Sequence, residues 1–215
     1  MSVEAKPIEG DARLAHKLPW FSLAAAGLAA DLWTKHLVFY PDVLDPKFAE
    51  YSERGPWVVG HVCSWWRTIL AYNRGVTFGM GIGLGAWLLS IGTGLVIVML
   101  LRTLWRTPRG ERVKSFALSI IVGGAVGNLY DRALRPFVEA DTHPGVRDFL
   151  DWYVPADSAL GRFLTTHNVT PFEYHWYTFN VADSFIVSGV VLLAWKVIRE
   201  KPQPSVAGTA KGGAT

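Results

Sequence analysis

The chain has 215 residues, of which 50% are hydrophobic and only 18% are charged, and its formal net charge is +3 at pH 7. This length favours a single domain, and such a low charged fraction is unusual for a soluble protein. No basic stripe with interleaved aromatic side chains is present, which argues against a nucleic-acid partner. The single cysteine, Cys63, rules out an internal disulfide framework, and nothing orients the nearby His61 as a base for a catalytic thiol.

Long uncharged runs indicate membrane spans. The run from Gly75 to Leu101 holds 27 residues, more than the ~20 that a helix needs to cross about 30 Å of hydrocarbon. Three further apolar stretches occur, the first interrupted by Asp31, Lys35 and His36. The sequence therefore predicts an all-α membrane protein with four transmembrane helices, at about 18–40, 80–101, 116–132 and 179–195.

The predicted segments outside the spans are two tails and two long loops. Residues 41–79 and 133–178 are the loops, and alternation around Trp57 to Val62 indicates that the first loop can contain short strands. The spans and loops form one domain, residues 18–200. Residues 1–17 form an N-terminal tail, and residues 201–215 form a C-terminal tail rich in Gly, Ala, Pro and Thr that we expect to be disordered.

The distribution of basic residues predicts the orientation. The N-terminal tail, the loop between the second and third spans, and the C-terminal segment carry 12 of the 21 Lys and Arg residues. By the positive-inside rule these three segments are cytoplasmic, so both long loops face outward. A cleaved signal peptide within residues 1–30 is disfavoured, because apolar sequence resumes from Asp31 to Tyr40 and its loss would leave an odd number of spans.

Three acidic residues, Asp31, Asp131 and Asp183, lie inside predicted spans. At 1.5 Å per residue they stand about 20–25 Å above the lysines at the inner ends of their helices. Each buried charge costs on the order of 2.5–3.5 kcal/mol at such positions. Three such costs at one depth predict one shared polar site near the outer surface.

Structural roles explain part of this pattern. Asp31 and Lys35 are four residues apart on one helix face and can neutralise each other, so we favour a structural role for them. Asp131 is followed by Arg132, which leaves an ion pair between them open. Asp183 has no basic residue within four positions and is the strongest functional candidate from the residues alone.

Glycines and asparagines near these acids also have structural explanations. Gly123 and Gly127 have the spacing that lets helix backbones touch, which is a sufficient reason for them. Asn128 follows at the outer end of the same helix. Asn73 and Asn180, each just before an apolar span, suit helix caps as well as substrate contacts.

Five short motifs, in order along the chain, resemble the sequence boxes of the type II (lipoprotein) signal peptidases. The third and fifth motifs are specific, whereas the first and fourth are short. The motifs are Asp31–Lys35, Asn73–Phe78, Gly123–Arg132, Val146–Phe149 and Phe179–Asp183. The resemblance covers residues 18–200 and implies a membrane-embedded aspartic endopeptidase.

The resemblance implies that Asp148 and Asp183 are the catalytic pair. The residues alone do not distinguish Asp148 from Asp141 or Asp151. The resemblance implies substrate binding by Asn73, Asn128, Arg132 and Asn180. It implies site-shaping roles for Asp31, Lys35, Gly75, Gly124, Gly127 and Asp131.

The implied substrate is a prolipoprotein whose cysteine carries diacylglycerol, cut just before that cysteine at the outer face of a bacterial inner membrane. Two adjacent carboxylates cannot both ionise easily, so one holds a proton while the other acts as a base. The chemistry needs no metal, and no metal-ligand spacing is evident, so we expect no cofactor. Membrane lipid is the other expected partner, and we expect a monomer.

Two features depart from the family pattern. Thr77 stands where the family usually has Ala, and the 35-residue separation of Asp148 from Asp183 exceeds the usual spacing. The extra residues, around Ala156 to Glu173, suit an interfacial flap or a surface insertion, and we favour the insertion.

Two alternative functions compete with the peptidase. A small transporter scaffold predicts polar residues through the full membrane depth, but Leu88–Leu101 and Phe185–Trp195 lack ionisable residues. A non-catalytic homologue stays open from sequence.

The orientation can be tested by labelling single cysteines in intact spheroplasts, in a Cys63→Ser background. A membrane-impermeant thiol reagent should label positions in 41–74 and 134–176, because these segments are predicted to face outward. Labelling of the basic segment between Arg102 and Lys114 from outside would overturn the topology.

Overall fold

The structure is a computed structural model that describes residues 9–39, 57–73, 82–138, 145–167, 174–175 and 177–200. The helices are α1 (Glu9–Phe39), α2 (Ile82–Arg106), α3 (Arg112–Leu129), α4 (Arg135–Val138), α5 (Ala159–Thr166) and α6 (Val181–Arg199). A π-helical turn, Tyr130–Leu134, joins α3 to α4. The strands are β1 (Trp57–Cys63), β2 (Trp66–Asn73), β3 (Val146–Val154) and β4 (Tyr174–His175).

Three helical segments of the described chain are long and apolar enough to cross a membrane. They are Trp87–Arg106, Arg112–Val138 and Val181–Arg199, which agree with the second, third and fourth predicted spans. The third continues to Val138, beyond its predicted end at residue 132. Helix α1 is not among the three, although it has 31 residues, and it begins at Glu9 rather than at Leu18. Residues 1–8 and the predicted C-terminal tail, 201–215, lie outside the described residues.

Helix α3 is central, because it packs against α1, α2 and α6. The small residues on its surface allow this close packing, as predicted. A Cβ atom at Gly123 would lie 2.6 Å from the Ala24 carbonyl oxygen of α1, and one at Gly124 would lie 2.5 Å from the Ala182 carbonyl oxygen of α6. The glycines therefore bring three helix backbones together where polar side chains cluster.

Two lysines connect the helices at the end that lies away from this polar cluster. Lys17, only 2% exposed, donates from Nζ to the Leu104 carbonyl oxygen at 2.8 Å and also to the Thr107 carbonyl oxygen. These carbonyls lie at the end of α2, where a cation satisfies groups that have no partner within the helix. Lys196 of α6 pairs with Glu111, just before α3, at 2.6 Å.

The strands form a small antiparallel sheet in the order β1-β2-β3-β4. Strands β1 and β2 confirm the prediction that the first loop contains short strands. Strand β2 pairs with β3 so that Ala71 lies opposite Asp148 and Trp66 lies opposite Trp152. The prediction of strands in the first loop alone was incomplete, because β3 and β4 lie in the second loop.

The residues that lengthen the second loop add α5 and β4. The Ser158 hydroxyl caps α5 by accepting from the Gly161 amide at 3.0 Å. Leu160 and Phe163 of α5 are exposed. The short strand β4 pairs with the end of β3, where Val154 lies opposite Tyr174.

The packing of α3 can be tested with Gly124→Ala. The new methyl group would press on the Ala182 backbone, and we expect overpacking to lower the free energy of unfolding by about 1–3 kcal/mol. Gly92→Ala is the matched control, because a Cβ there meets nothing within 4 Å and helix propensity favours Ala. Thermal unfolding in detergent should rank the control above Gly124→Ala, and equal stabilities would contradict the proposed contact.

Candidate active site

Asp183 lies in the first turn of α6 and is fixed by a reciprocal cap with Asn180. The Asn180 side chain accepts from the Asp183 amide at 3.0 Å, and the Asp183 Oδ2 accepts from the Asn180 amide at 3.2 Å. The Asp183 Oδ1 accepts from Asn128 Nδ2 at 2.8 Å. Both carboxylate oxygens therefore accept N–H donors, and the predicted cap at Asn180 is confirmed.

Asp148 lies on strand β3, within a segment that is predicted from sequence to be a loop. Phe179 pairs with this strand, because its carbonyl oxygen accepts from the amides of Phe149 at 3.1 Å and Leu150 at 2.8 Å. This pairing sets Asp148 beside the start of α6. The Asp148 side chain is buried, with 2% of its surface exposed.

The approach to β3 is fixed by Gly145 and Arg135. Gly145 has φ 126°, a left-handed conformation that favours glycine. Its carbonyl oxygen accepts from Arg135 Nη2 at 3.0 Å. The fully buried Arg135 therefore holds the backbone three residues before Asp148.

Asn180 joins the two aspartates. Its Nδ2 donates to Asp148 Oδ1 at 2.7 Å, while its Oδ1 caps the helix that carries Asp183. Asn73 also forms a side-chain hydrogen bond with Asp148. Sequence left two roles open for Asn73, and the structure places the residue at the end of strand β2, while residues 74–81 lie outside the described residues.

The environment of Asp148 favours its protonated form. Burial, and next the charge of Asp183, raise the pKa of Asp148 from 3.8 to about 7, against the lowering effects of Asn73, Lys35 and Asn180. Loss of solvation and a like charge both disfavour a second carboxylate here. The site can therefore hold a proton on Asp148 near neutral pH.

A third carboxylate, Asp131 in the π-helical turn, is fully buried among cations. Lys35 Nζ lies 2.9 Å from its Oδ2, and Arg147 Nη2 lies 2.7 Å from its Oδ1. Arg135 Nε lies at 3.7 Å. The Arg147 amide also donates to Asp131 at 3.0 Å. The ion pair with Arg132 that sequence left open is replaced by these partners, because the π-helical turn directs Asp131 towards α1 and β3.

Lys35 contacts several of the buried polar groups at once. Its Nζ lies 2.7 Å from Asp31 Oδ2, which confirms the predicted pair, and it donates to Asn128 Oδ1 at 3.1 Å. Asp31 also accepts from the amide of Ala182, the residue before Asp183, at 3.0 Å. The three acids predicted to share one depth are thus linked, through helices α1, α3 and α6. A Cβ at Gly127 would collide with Asp31 Oδ2, so this glycine makes room for the carboxylate.

A groove of about 470 Å³ runs between α2 and α6 over the surface of α3. Most of its lining is aliphatic, and Asn128 and Arg132 contribute polar atoms near the C-terminal end of α3. Both Asp148 and Asp183 act electrostatically on Arg132. The aliphatic lining includes Leu88, Leu89, Val96, Leu100, Ile121 and Ile186.

The residues that are predicted from sequence to form the site lie together at this end of the helices. Gly75 is the exception, because it lies outside the described residues. Sequence reasoning did not identify the buried cations Arg135 and Arg147 as partners of Asp131. Arg147 lies 16 positions from Asp131, with which it pairs, and no local pattern signals such a contact. Within the described chain, no group of three or more His, Cys, Asp or Glu side chains could hold a metal ion.

The chain is similar to known proteins over most of its length. A sequence model of the family described as signal peptidase (SPase) II matches residues 23–199. The lipoprotein signal peptidase of Solibacter usitatus is 36% identical over 135 residues, which cover 61% of this chain and 67% of the relative. That of Ralstonia nicotianae is 31% identical over 177 residues, 81% of each chain. That of Francisella tularensis subsp. novicida is 29% identical over 181 residues, 82% of this chain and 89% of the relative.

Two solved structures share the fold. Both are described as bacterial membrane enzymes studied by the in meso method. One has a TM-score of 0.59 at 19% identity and covers 85% of this chain and 94% of its own. The other has a TM-score of 0.58 at 18% identity and covers 89% and 94%. At these identities the likeness establishes the fold alone.

The buried carboxyl of Asp148 predicts a pH-dependent gain in stability for Asp148→Asn. Because its folded-state pKa of about 7 lies above 3.8, wild-type stability falls as the pH rises from about 4 to about 7. A neutral amide removes this penalty, so the variant should gain at most about 4 kcal/mol in unfolding free energy above pH 7.

The measurement is unfolding in detergent at pH 4 and pH 9. The gain should be present at pH 9 and absent at pH 4. Asp157→Asn at an exposed carboxylate is the control and should change little at either pH. A gain that is equal at both pH values would contradict a raised pKa at Asp148.

Proposed function

This chain belongs to the signal peptidase II family, and from that premise we propose that it removes signal peptides from prolipoproteins with Asp148 and Asp183 as its catalytic pair. The enzyme is an aspartic peptidase of the membrane. The proposed cut lies just before the cysteine that carries diacylglycerol.

One observation carries the assignment of the pair: a single asparagine serves both aspartates. Asn180 donates to Asp148 at 2.7 Å and caps the turn that holds Asp183. The two carboxyl groups have different surroundings, since Asp148 is buried and Asp183 receives N–H donors on both oxygens. Environments that separate two carboxylates in this way suit one acid and one base.

In the proposed reaction Asp183 is the base and Asp148 the acid. Asp183 takes a proton from water as the water oxygen bonds to the scissile carbonyl carbon. Asp148 gives its proton to the carbonyl oxygen, which forms a neutral tetrahedral intermediate. Collapse of that intermediate breaks the C–N bond. Asp183 gives its proton to the departing amine, and Asp148 takes back a proton from a hydroxyl of the intermediate, so both aspartates return to their starting states. The raised pKa of Asp148 supports its role as the proton donor.

The groove between α2 and α6 supports a lipid-linked substrate. Its aliphatic lining suits an acyl chain or an apolar signal helix, and its polar end at Asn128 and Arg132 lies beside the dyad. We propose that the substrate enters sideways from the bilayer along this groove. Arg132 Nε has no hydrogen-bond partner among the described residues. Its N–H group is therefore available to donate to a substrate carbonyl group.

We propose that α1 is a fourth span and that both termini are cytoplasmic. The charges that interrupt its apolar sequence, Asp31 and Lys35, neutralise each other inside the protein and do not face lipid. The contacts of Lys17 and Lys196 join the helices at the end that carries the basic α2–α3 connection. With that end inside, the dyad faces the outer side of the membrane, and the enzyme acts there as a monomer.

Family membership favours the peptidase over the transporter alternative. Retention of both aspartates, each hydrogen-bonded to Asn180, favours an active enzyme over a non-catalytic homologue.

The proposal predicts that Asp148→Asn and Asp183→Asn each lower the turnover number for a lipidated precursor by more than about a thousandfold. An amide at either position cannot exchange the proton that acid–base catalysis requires. Cleavage should be measured with purified enzyme in detergent or proteoliposomes.

Asp157→Asn, at an exposed carboxylate, is the control and should cleave normally. Thermal unfolding must show that both dyad variants are folded. Near-normal turnover by either folded dyad variant would remove that residue from the mechanism.

A further inference from the structure

We propose that Lys35 is a positioning residue that fixes the orientation of the Asn128 amide and so keeps an N–H donor on Asp183. Lys35 does this without touching Asp183 itself. The inference rests on the proposed role of Asp183 as the base, and it assigns Lys35 a part in catalysis beyond the cohesion of α1 with α3.

The donor capacity of lysine fixes the amide. A protonated ammonium group only donates hydrogen bonds, so the Asn128 atom 3.1 Å from Lys35 Nζ must be the carbonyl oxygen Oδ1. Asn180 Nδ2 donates to the same oxygen, also at 3.1 Å. The Asn128 Nδ2 then faces Asp183 Oδ1 at 2.8 Å.

The opposite amide orientation would change the state of Asp183. A carbonyl oxygen would then face the Asp183 carboxylate, and only a protonated Asp183 could form a hydrogen bond with it. Lys35 is itself held on both sides, at 2.7 Å from Asp31 and 2.9 Å from Asp131, with no exposed surface. The ammonium group therefore has one position, and that position selects the amide orientation that suits an ionised base.

Several other charged groups surround the dyad and must stay constant in a test. Asp148 faces Asp183 from β3, and Arg132 interacts with both aspartates from the π-helical turn. Asp131 and Arg147 form the neighbouring ion pair. Asn180 is the second donor to Asn128 Oδ1, so Asn180 must stay unchanged in every variant as well.

The test variant combines Lys35→Met with Asp31→Asn. The single change at Lys35 would leave the buried Asp31 carboxylate without its cation, which destabilises the fold. The paired change removes one positive and one negative charge, and Asp131 keeps Arg147 and Arg135. The matched control carries Asp31→Asn alone, which keeps Lys35 beside Asn128.

The decisive readout is the titration of Asp183 by carbon NMR of labelled aspartate, in an Asp148→Asn background that isolates one carboxyl of the dyad. We expect the paired variant to titrate about one pH unit higher than the control, since a hydrogen bond to a charged group has been lost. Asn128→Leu should produce the same shift, and adding it to the paired variant should produce no further shift. An unchanged midpoint in either variant would overturn the proposal.

Turnover provides a second readout with Asp148 restored. The acid limb of the pH–rate profile should move to higher pH in the paired variant, and kcat at neutral pH should fall about tenfold with KM little changed. A change in thermal stability alone, with both profiles equal, would give Lys35 a purely structural role and overturn the proposal. The NMR titration needs no turnover, so its failure is distinguishable from a failure of the proposed dyad.

Discussion

The burial of Asp131 is the constraint on which the rest of the site depends. A carboxylate with no exposed surface needs cations around it, and its partners Lys35 and Arg147 come from α1 and β3. Neutralising this one group therefore ties the first helix, the end of α3 and the sheet to one another. Lys35 in turn pairs with Asp31 and donates to Asn128. Arg147 holds the strand so that its neighbour Asp148 lies beside α6.

The same arrangement gives the two carboxyl groups of the proposed dyad different surroundings. Asp148 is buried on a strand, and its burial, together with the charge of Asp183, raises its pKa to about 7. Asp183 is at the start of a helix, where backbone N–H groups and the helix dipole favour negative charge. Asn180 connects the two through one side chain. The geometry thus provides an acid and a base from chemically identical residues.

Sequence could predict those parts of the site that depend on helix spacing or composition. The cost of charge within apolar helices singled out Asp31, Asp131 and Asp183, and the four-residue spacing of Asp31 and Lys35 predicted their ion pair. Asp148 required a family resemblance. Strand β3 was missed because its first four residues are all buried and so lack an alternating pattern. The contacts of Asn73 and Arg147 depend on how β2 and β3 pair, which no local pattern reports.

The central claim is that the dyad of the resting enzyme holds one proton and that this proton is on Asp148. Isotope-edited infrared spectroscopy of aspartate-labelled enzyme near pH 6 tests it most directly, by counting protonated carboxyl bands in the wild type and in each single Asn variant. We expect one protonated band from the dyad that disappears in Asp148→Asn and persists in Asp183→Asn. A band that disappears in Asp183→Asn and persists in Asp148→Asn would contradict it.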